Sequence, residues 1–413
     1  MQHDQIDSWR QLHSGRHEVC VRWLLNPSEP PQQNCCLVIE DGLLTAIRRA
    51  PEHSTSVPPL MLVPPLVNAH THLEFSTLNQ PLQPAAPFPD WIRSVIRWRT
   101  AGAATAAAEP GRTAIDMGLL ESSAQGVRLI GEIATSNPQP VVASDTRCLI
   151  FREVIGLGAA RCEQQLTMLD GFLNLRADME AAGGRIGISP HAPYSVHPDL
   201  LSRLATIARR EQLPLAMHLG ETLEERELLE RGTGLFAEFL RSLDLFDASI
   251  FCGGRKFTEY IEQLTLAPRA LAIHGNWFQR SEWEFLKQYP TITVVYCPRT
   301  HHWFGHPPYP LEEMLASGVG VVLGTDSRAS NPDLGVWNEL QHVLRHHPGV
   351  QPLQVLAMIT TSAATAMGWP EASEPLAVGK PIAGTLIECP EENLSLREQL
   401  CQSRVLQGIS RRC

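Results

Sequence analysis

Lysine is scarce in this chain, occurring only at Lys256, Lys287 and Lys380 among 413 residues. A mechanism that forms a Schiff base needs a lysine amine in the active site. Because no lysine precedes residue 256, such chemistry is excluded for the strands before that point. The basic residues there are arginines, whose planar guanidinium groups bind carboxylates through two parallel hydrogen bonds.

Several other features are missing. No apolar run is long enough to cross a bilayer, and the N-terminal segment mixes acids with bases, unlike a secretory signal. The ten cysteines form no CxxC pair, so we expect reduced thiols and a cytoplasmic protein. A net charge of −10 without a basic stripe argues against a nucleic-acid partner. We expect a small-molecule partner and no membrane contact, and we leave a homo-oligomer open.

The chain divides into two predicted modules. Short apolar runs separated by turn residues indicate a small β module over residues 1–63, which a last strand-like run within residues 371–413 completes. Residues 64–370 contain eight short apolar runs followed by helical patterns, as is typical of parallel βα units. The sequence therefore predicts the α/β class, a (β/α)8 TIM barrel with a small β-sandwich module from both chain ends. The eight runs are LVNAH, VRLIGEIA, CLIFREVIG, RIGISPH, PLAMH, ALAIHG, ITVVYC and GVVLGTD.

Four of these runs end in side chains that can bind a metal ion. His70 and His72 end the first run, and residues two apart on an extended chain point to the same side. His218, His274 and Asp326 end the fifth, sixth and eighth runs. Each one alone could be a histidine bonded to a carbonyl group or an aspartate that caps a helix. Since strand ends meet at one face of a barrel, the set together predicts a site for zinc or ferrous iron.

Two further features have two interpretations each. Glu221 follows His218 by three residues, where its carboxylate could move protons; it could equally be a first-turn helix acid favoured by the dipole. An apolar cluster in the predicted helix from Pro89 to Arg99 could bind a ligand, but we expect it to face the core. That cluster consists of Trp91, Ile92, Val95, Ile96 and Trp98.

Five polar residues near strand ends are candidates for substrate contact. Glu74 follows the HTH motif, Arg152 follows the third run, and His191 lies in SPHAPYS. Arg299 and His301 lie in CPRTHHWFGH. The mixture of histidine, arginine and aromatic residues in that loop suits a flat polar ligand, although a solvated surface loop could have the same composition.

Five ordered motifs, PPLVNAHTHLE, PHAPYS, MHLGE, AIHGN and GTDS, resemble the amidohydrolase superfamily, specifically its cytosine-deaminase and chlorohydrolase-like branch. The resemblance spans nearly the whole chain. It implies that Glu221 shuttles protons, that His274 polarises the attacking water or the bound substrate, that Asp326 and His274 orient the nucleophile and accept a proton, and that His191 faces the substrate. The metal ligands that it implies are His70, His72, His218 and Asp326.

The resemblance also bears on the number of ions. Binuclear members of that superfamily bridge two ions with a carboxylated lysine or a glutamate on strand three or four. No lysine is available there, while Glu132 and Glu153 remain as bridging acids. The motif set favours one divalent ion, with Zn²⁺ expected and Fe²⁺ as the alternative.

After the seventh run, Cys297-Pro298-Arg299-Thr300-His301 stands where many deaminases of the branch have Cys-Pro-x-Ser-Asn. Together with HTHLEFS and the FPDWIRSVIRWR helix, this loop is most similar to aminodeoxyfutalosine deaminases of the alternative menaquinone route. The resemblance implies a hydrolase of non-peptide C–N bonds that deaminates an aminopurine-type nucleoside or base, with Arg299 or Arg152 binding a substrate carboxylate. Guanine, adenosine, S-adenosylhomocysteine and triazine substrates stay open, as do C–Cl hydrolysis and a non-catalytic binding barrel.

Overall fold

A computed structural model describes residues 9, 12–50, 57–105, 110–135, 146–390 and 394–409, with the backbone alone for 102–105 and 110–112. Cys413 and most of the N-terminal segment lie outside the described residues. The strands are β1 (Arg16–Leu24), β2 (Gln32–Glu40), β3 (Leu43–Arg49), β4 (Leu60–Val63), β5 (Leu66–Thr71), β6 (Val127–Ala134), β7 (Arg147–Val154), β8 (Arg185–Pro190), β9 (Leu215–Leu219), β10 (Ala270–His274), β11 (Ile292–Tyr296), β12 (Val321–Leu323), β13 (Gly384–Glu388) and β14 (Arg404–Ile409).

Helices follow most of the barrel strands. Within the described part of the chain, no helix is long and apolar enough to cross a membrane. The helices are α1 (Phe88–Thr105), α2 (Pro110–Ala124), α3 (Ala159–Leu173), α4 (Arg176–Ala181), α5 (Pro198–Glu211), α6 (Leu223–Arg231), α7 (Gly234–Ser242), α8 (Ala248–Phe251), α9 (Phe257–Leu264), α10 (Arg280–Leu286), α11 (Pro298–Trp303), α12 (Leu311–Ala316), α13 (Val336–His346), α14 (Pro352–Met358), α15 (Thr361–Ala366) and α16 (Leu396–Gln402), with 3₁₀ turns at Leu73–Phe75 and Pro370–Ser373.

The strands β5 to β12 form one sheet in the order of the chain. All their pairings are parallel, as a succession of βα units requires. The strands are almost wholly buried, because helices cover the outer face and side chains fill the interior. This burial explains why the eight runs are continuously apolar rather than alternating.

The first and last strands of this sheet meet and close the barrel. The Asp326 N–H donates to the His70 carbonyl (3.0 Å). Gly324 permits this approach, since a Cβ there would lie 2.8 Å from the Cβ of His70. The Asn68 amide binds Thr325 twice across the same junction, at 2.7 and 3.0 Å. The predicted TIM barrel is confirmed.

The remaining strands form a second, six-stranded sheet in the order β14-β13-β4-β1-β2-β3. The β1–β4 pairing is parallel and the other pairings are antiparallel. This sheet has its own apolar core, and the predicted β module composed of both chain ends is confirmed. Because β4 ends at Val63 and β5 begins at Leu66, the chain passes from this sheet to the barrel between them. The domain limits at 63/64 and 370/371 stay a prediction.

One expectation about the cysteines is wrong. Cys20 and Cys36 form a disulfide between β1 and β2, whereas we expected reduced thiols throughout. The antiparallel register places the two residues directly opposite each other, with Cα atoms 4.0 Å apart. Strand register depends on pairing and is not visible in the spacing of cysteines along the chain. The cytoplasmic setting, which the reduced thiols supported, stays a prediction.

Candidate active site

Three imidazoles, which we call the buried histidine trio, meet at the carboxyl ends of barrel strands. His70 and His72 come from the end of β5, and His218 comes from β9. Their ring centroids are 4.9 Å (His70–His72), 5.0 Å (His70–His218) and 5.2 Å (His72–His218) apart. None of the three residues is more than 8% exposed. Barrel closure thus brings together histidines that are 146 residues apart along the chain.

The donor atoms of this trio and Asp326 have the spacing of ligands to one ion. The Nε2 atoms of His72 and His218 are 3.2 Å apart, and Asp326 Oδ1 lies 3.5 Å from His70 Nε2 and 3.7 Å from His72 Nε2. Four ligands at about 2.1 Å from a tetrahedral ion lie about 3.4 Å from one another. Both ring nitrogens of His70 are buried and have no hydrogen-bond partner within the described residues. A divalent ion therefore fits here.

His274 and Asp326 have an unusual backbone. Their φ angles are +74° and +59°, a left-handed region that costs a residue with a side chain about 1–3 kcal/mol. His274 is the last residue of β10, Asp326 lies three residues after the end of β12, and both side chains lie beside the buried histidine trio. Ser330 donates to Asp326 Oδ2 (2.8 Å). The other oxygen, Oδ1, is thereby left to face the histidines.

Glu221 stands beside this cluster. Its Oε1 lies 3.4 Å from His274 Nε2, and Gly220 (φ +66°) makes the turn that leads the chain from β9 to this position. Burial raises the pKa of Glu221 well above its ordinary value, and the charges of Asp326 and Glu225 add to the effect. Burial lowers the pKa of His274 to about 3. A carboxyl group that can hold a proton therefore lies next to a neutral imidazole.

A cavity of about 540 Å³ opens onto these residues. Part of its lining is polar and includes His72, His218, Glu221, His274 and Asp326, while most of the other side chains are apolar. Helix α1 contributes Trp91, Ile92, Val95 and Ile96, and α7 with the loop after it contributes Phe239, Leu240, Leu243 and Leu245.

The apolar cluster of α1 was expected to face the core, and it does so only in part: four of its five residues line the cavity, while Val95 also belongs to a buried cluster and Trp91 and Ile92 also pack against core residues. Helix α1 lies over the carboxyl face of the barrel, so its apolar face covers the site. Trp98 is the exception, because it packs against Phe75 with ring centroids 4.8 Å apart.

His191 and Glu153 also line the cavity. His191 Nε2 lies 3.8 Å from Glu153 Oε1, and His191 Nδ1 lies 2.6 Å from the Ser195 hydroxyl. The His191 carbonyl accepts from His218 Nδ1 (3.1 Å), which directs the other nitrogen of His218 to the trio. The structure thus places His191 where the sequence predicts substrate contact. Glu153 is buried, and its Oε1 has no hydrogen-bond partner within the described residues.

Glu132, the second glutamate that could bridge two ions, already accepts hydrogen bonds with both carboxylate oxygens. Both carboxylate oxygens of Glu132 accept from the Leu73 N–H, at 2.9 and 3.0 Å, and one accepts from the Thr71 hydroxyl at 2.6 Å. Glu132 therefore holds the turn that follows β5 and thereby positions His72.

The predicted contact of Arg299 with substrate is wrong. Its guanidinium group donates to Glu339 Oε1 (2.7 Å) and to both carboxylate oxygens of Asp333 (2.8 Å each). These ion pairs fasten α11 to α13 and to the loop before it. Two carboxylates already satisfy Arg299, and it does not belong to the lining of the cavity.

Arg152 and His301 also lie outside that lining, so the structure does not bring either predicted contact to the cavity. Arg152 donates to the carbonyl groups of Ala134 (3.1 Å) and Thr135. Successive side chains of a strand point to opposite faces, so Glu153 faces the cavity and Arg152 cannot. His301 is buried, with its ring 5.6 Å from Tyr296 and 5.5 Å from Tyr309.

Glu74 lies outside the lining of the cavity and contacts a residue that belongs to it. It accepts from Arg99 (2.6 Å), and Arg99 is the member of the pair that lines the cavity. A second cation, Arg161 on α3, lines the cavity and donates to the neutral Gln164 (2.7 Å). The sequence analysis missed both arginines. The helical spacing of Arg99 from Trp91 could have indicated the first, whereas nothing near Arg161 indicated the second.

The chain is similar to curated deaminases. It is 28% identical over 342 residues to an aminodeoxyfutalosine deaminase of Nitratiruptor sp., with 80% of each chain covered. It is 25% identical over 350 residues to a 5-methylthioadenosine/S-adenosylhomocysteine deaminase of Pyrococcus furiosus, covering 80% of this chain and 77% of that one.

The chain has the same fold as several solved structures. Aminofutalosine deaminase of Helicobacter pylori, in complex with methylthio-coformycin, matches with a TM-score of 0.77 and 20% identity over 95% of this chain and 97% of that one. A triazine hydrolase variant matches with a TM-score of 0.74 and 15% identity, covering 95% and 94%. The amidohydrolase family model matches residues 61–395. The predicted hydrolase class is confirmed, and the chain belongs to the amidohydrolase family.

Proposed function

We propose that this protein is a metal-dependent hydrolytic deaminase of an aminopurine nucleoside with an extended 5′ substituent, and that 6-amino-6-deoxyfutalosine is the substrate. The observation that carries the proposal is a cluster of metal-ligand side chains and Glu221 at a cavity of about 540 Å³ with largely apolar walls. The nucleoside occupies the polar end and the substituent occupies the apolar part. Relatives named for aminodeoxyfutalosine and for 5-methylthioadenosine support this choice.

His70, His72, His218 and Asp326 would hold one divalent ion, and Zn²⁺ suits imidazole and carboxylate ligands better than Fe²⁺. When bound, the ion supplies a water molecule that loses a proton near neutral pH. Three observations support a single ion: no lysine precedes Lys256, Glu132 accepts from the Leu73 N–H, and Glu153 Oε1 lies beside His191, which is not one of the four ligands.

Glu221 moves the protons of the reaction. Its carboxylate takes a proton from the attacking water and delivers it to the ring nitrogen beside the amino-bearing carbon. The neutral ring of His274 and the Oδ1 of Asp326 orient the water for attack on that carbon. The carbon–nitrogen bond then breaks, ammonia leaves with a second proton, and the ring keeps the oxygen as a carbonyl group.

The rest of the cavity suits an aromatic acid. Phe88 and Trp91 both line it, with ring centroids 5.3 Å apart, and their faces can pack against the benzoate group of aminodeoxyfutalosine. Arg161 is exposed and bonded to a neutral partner, so its guanidinium group is available to a substrate carboxylate. Arg161 thereby takes the role that the sequence assigned to Arg299 or Arg152.

A substrate panel tests the proposal. Ammonia release is measured with aminodeoxyfutalosine, 5-methylthioadenosine, S-adenosylhomocysteine, adenosine and guanine, and chloride release with a chlorotriazine. We expect the highest kcat/KM for aminodeoxyfutalosine, intermediate values for the thioethers and low values for the others. Protein that contains one ion per chain and releases no ammonia from any aminopurine, or releases mainly chloride, would refute the proposed function.

A further inference from the structure

A second group of histidines, which we call the surface histidine trio, lies outside the cavity. His342 and His346 are one turn apart on α13, and His302 lies on α11. Their ring centroids are 4.0 Å (His342–His346), 5.4 Å (His302–His342) and 6.2 Å (His302–His346) apart. The two closest rings are stacked, with planes 20° apart. Histidines at positions i and i+4 share one face of a helix and can bind the same metal ion. The ring nitrogens of this trio are farther apart than those of the buried histidine trio, so binding of one ion requires the exposed rings to rotate.

One contact within the surface trio prepares a ring nitrogen to bind a cation. His346 Nδ1 lies 2.8 Å from the His342 carbonyl. Because a carbonyl group only accepts, Nδ1 carries the hydrogen and Nε2 keeps its lone pair. His218 of the buried trio has the same arrangement, with its Nδ1 against the His191 carbonyl. Such a contact is the usual means of orienting a metal-binding imidazole.

The surface trio is neutral at its centre and open to solvent. Burial lowers the pKa of His342 to about 3, and its histidine neighbours His346 and His302 add to the effect. His302 and His346 are exposed, while His342 is half-buried. An ion can therefore reach the trio directly from solvent. The two rings that are farthest apart belong to His302 and His346, and both of these exposed side chains can rotate toward each other.

We propose that His302, His342 and His346 form a second metal site, which binds a borderline divalent transition metal such as Zn²⁺, Ni²⁺ or Cu²⁺. Imidazole nitrogens select these ions over Mg²⁺ and Ca²⁺, which require oxygen ligands. Three protein ligands leave the other coordination positions to water. The bound ion links α11, which follows β11, with α13, which follows β12. Since the trio offers imidazole ligands alone, its affinity is lower than that of the buried site, where Asp326 adds a negative charge.

The test is a calorimetric titration of the full-length protein, with its buried site already filled with Zn²⁺, by Ni²⁺. We expect one further ion per chain, bound roughly tenfold or more weakly when His302 or His346 is replaced by alanine, since each substitution removes one of three ligands. His342→Ala is expected to have the same effect. The control His17→Ala removes a histidine of β1 and leaves the titration unchanged. All variants keep the Zn²⁺ content of the buried site.

Three outcomes would overturn the inference. The first is that no further ion binds. The second is that His302→Ala/His346→Ala, which removes two exposed ligands and leaves His342 packed as it is, binds the further ion as tightly as the wild type. The third is that each Ni²⁺ bound releases one Zn²⁺, because the ion would then have entered the buried site. None of these results depends on whether the protein is a deaminase.

Discussion

The buried and the surface histidine trios each bring three imidazoles together, in different surroundings. His70, His72 and His218 are at most 8% exposed, and Asp326 and Glu221 join them at a cavity large enough for a nucleoside. The surface trio consists of imidazoles alone, two of them exposed and one half-buried. We propose that both trios bind a transition metal through imidazole nitrogens. Catalysis also needs a buried acid that moves protons and a space that holds the substrate, and only the buried trio has both.

The largest effect that we expect separates the two trios directly. His72→Ala removes a ligand from the buried site, so the protein loses its tightly bound ion and its ammonia release together. His346→Ala removes a ligand from the surface trio and changes neither. Elemental analysis after dialysis and an ammonia assay on both variants measure this contrast. A His72→Ala protein that keeps its full metal content would contradict the ligand assignment.

Glu221→Gln separates binding from catalysis inside the buried site. We expect the variant to keep one ion per chain, because the glutamate is not a ligand, while kcat falls by roughly 10²- to 10⁴-fold, the usual contribution of a positioned acid–base group. Metal content and steady-state kinetics are measured on the same preparation. Loss of metal equal to that of His72→Ala would show instead that Glu221 is a ligand.

Substitutions of Arg299 and of Arg161 are expected to affect different properties, stability and substrate binding respectively. Arg299 is held by Asp333 and Glu339, and Glu339 is fully buried. Arg299→Ala leaves that carboxylate without its counter-charge, so we expect a loss of about 3–5 kcal/mol in the free energy of unfolding. The preference among substrates is expected to stay the same. Urea unfolding and a two-substrate assay test this, and a variant of wild-type stability that loses that preference would restore Arg299 to the binding site.

Arg161→Ala is expected to have the opposite profile and the smallest effect. Losing an exposed charge-assisted pair reduces kcat/KM for aminodeoxyfutalosine by roughly tenfold, and stability is unchanged. Adenosine, which has no carboxylate, is deaminated equally well by the variant and the wild type. The matched control is Arg203→Ala, because Arg203 is exposed on α5 and pairs with Glu163. An equal loss for both substrates would remove Arg161 from carboxylate recognition.

The sequence was sufficient where function depends on strand ends. The eight apolar runs coincide with the eight barrel strands, and the five residues that end four of these runs meet because parallel strands share one carboxyl face. The alternation of side chains along a strand explains why Arg152 and Glu153 point to opposite faces of β7. The arginine was the candidate predicted to bind substrate, and only the glutamate can face the cavity, because adjacent residues of β7 point to opposite sides.

Other features depend on packing between distant segments. The apolar face of α1 has the same pattern whether it covers a core or a cavity, and only the position of α1 over the barrel decides between them. Arg299 was a candidate for substrate binding because its partners are distant in the sequence. Asp333 and Glu339, which bind its guanidinium group, both lie more than 30 residues later in the chain. The Cys20–Cys36 disulfide depends in the same way on the register of β1 and β2.

We predict that deamination requires a single ion held at the buried trio. The most direct test uses metal-free His346→Ala protein, in which the surface trio lacks a ligand, and follows ammonia release from aminodeoxyfutalosine as Zn²⁺ is added. We predict that activity rises in proportion to bound Zn²⁺ and reaches its maximum at one ion per chain. Full activity without metal, or a maximum reached only at two ions per chain, would contradict the claim.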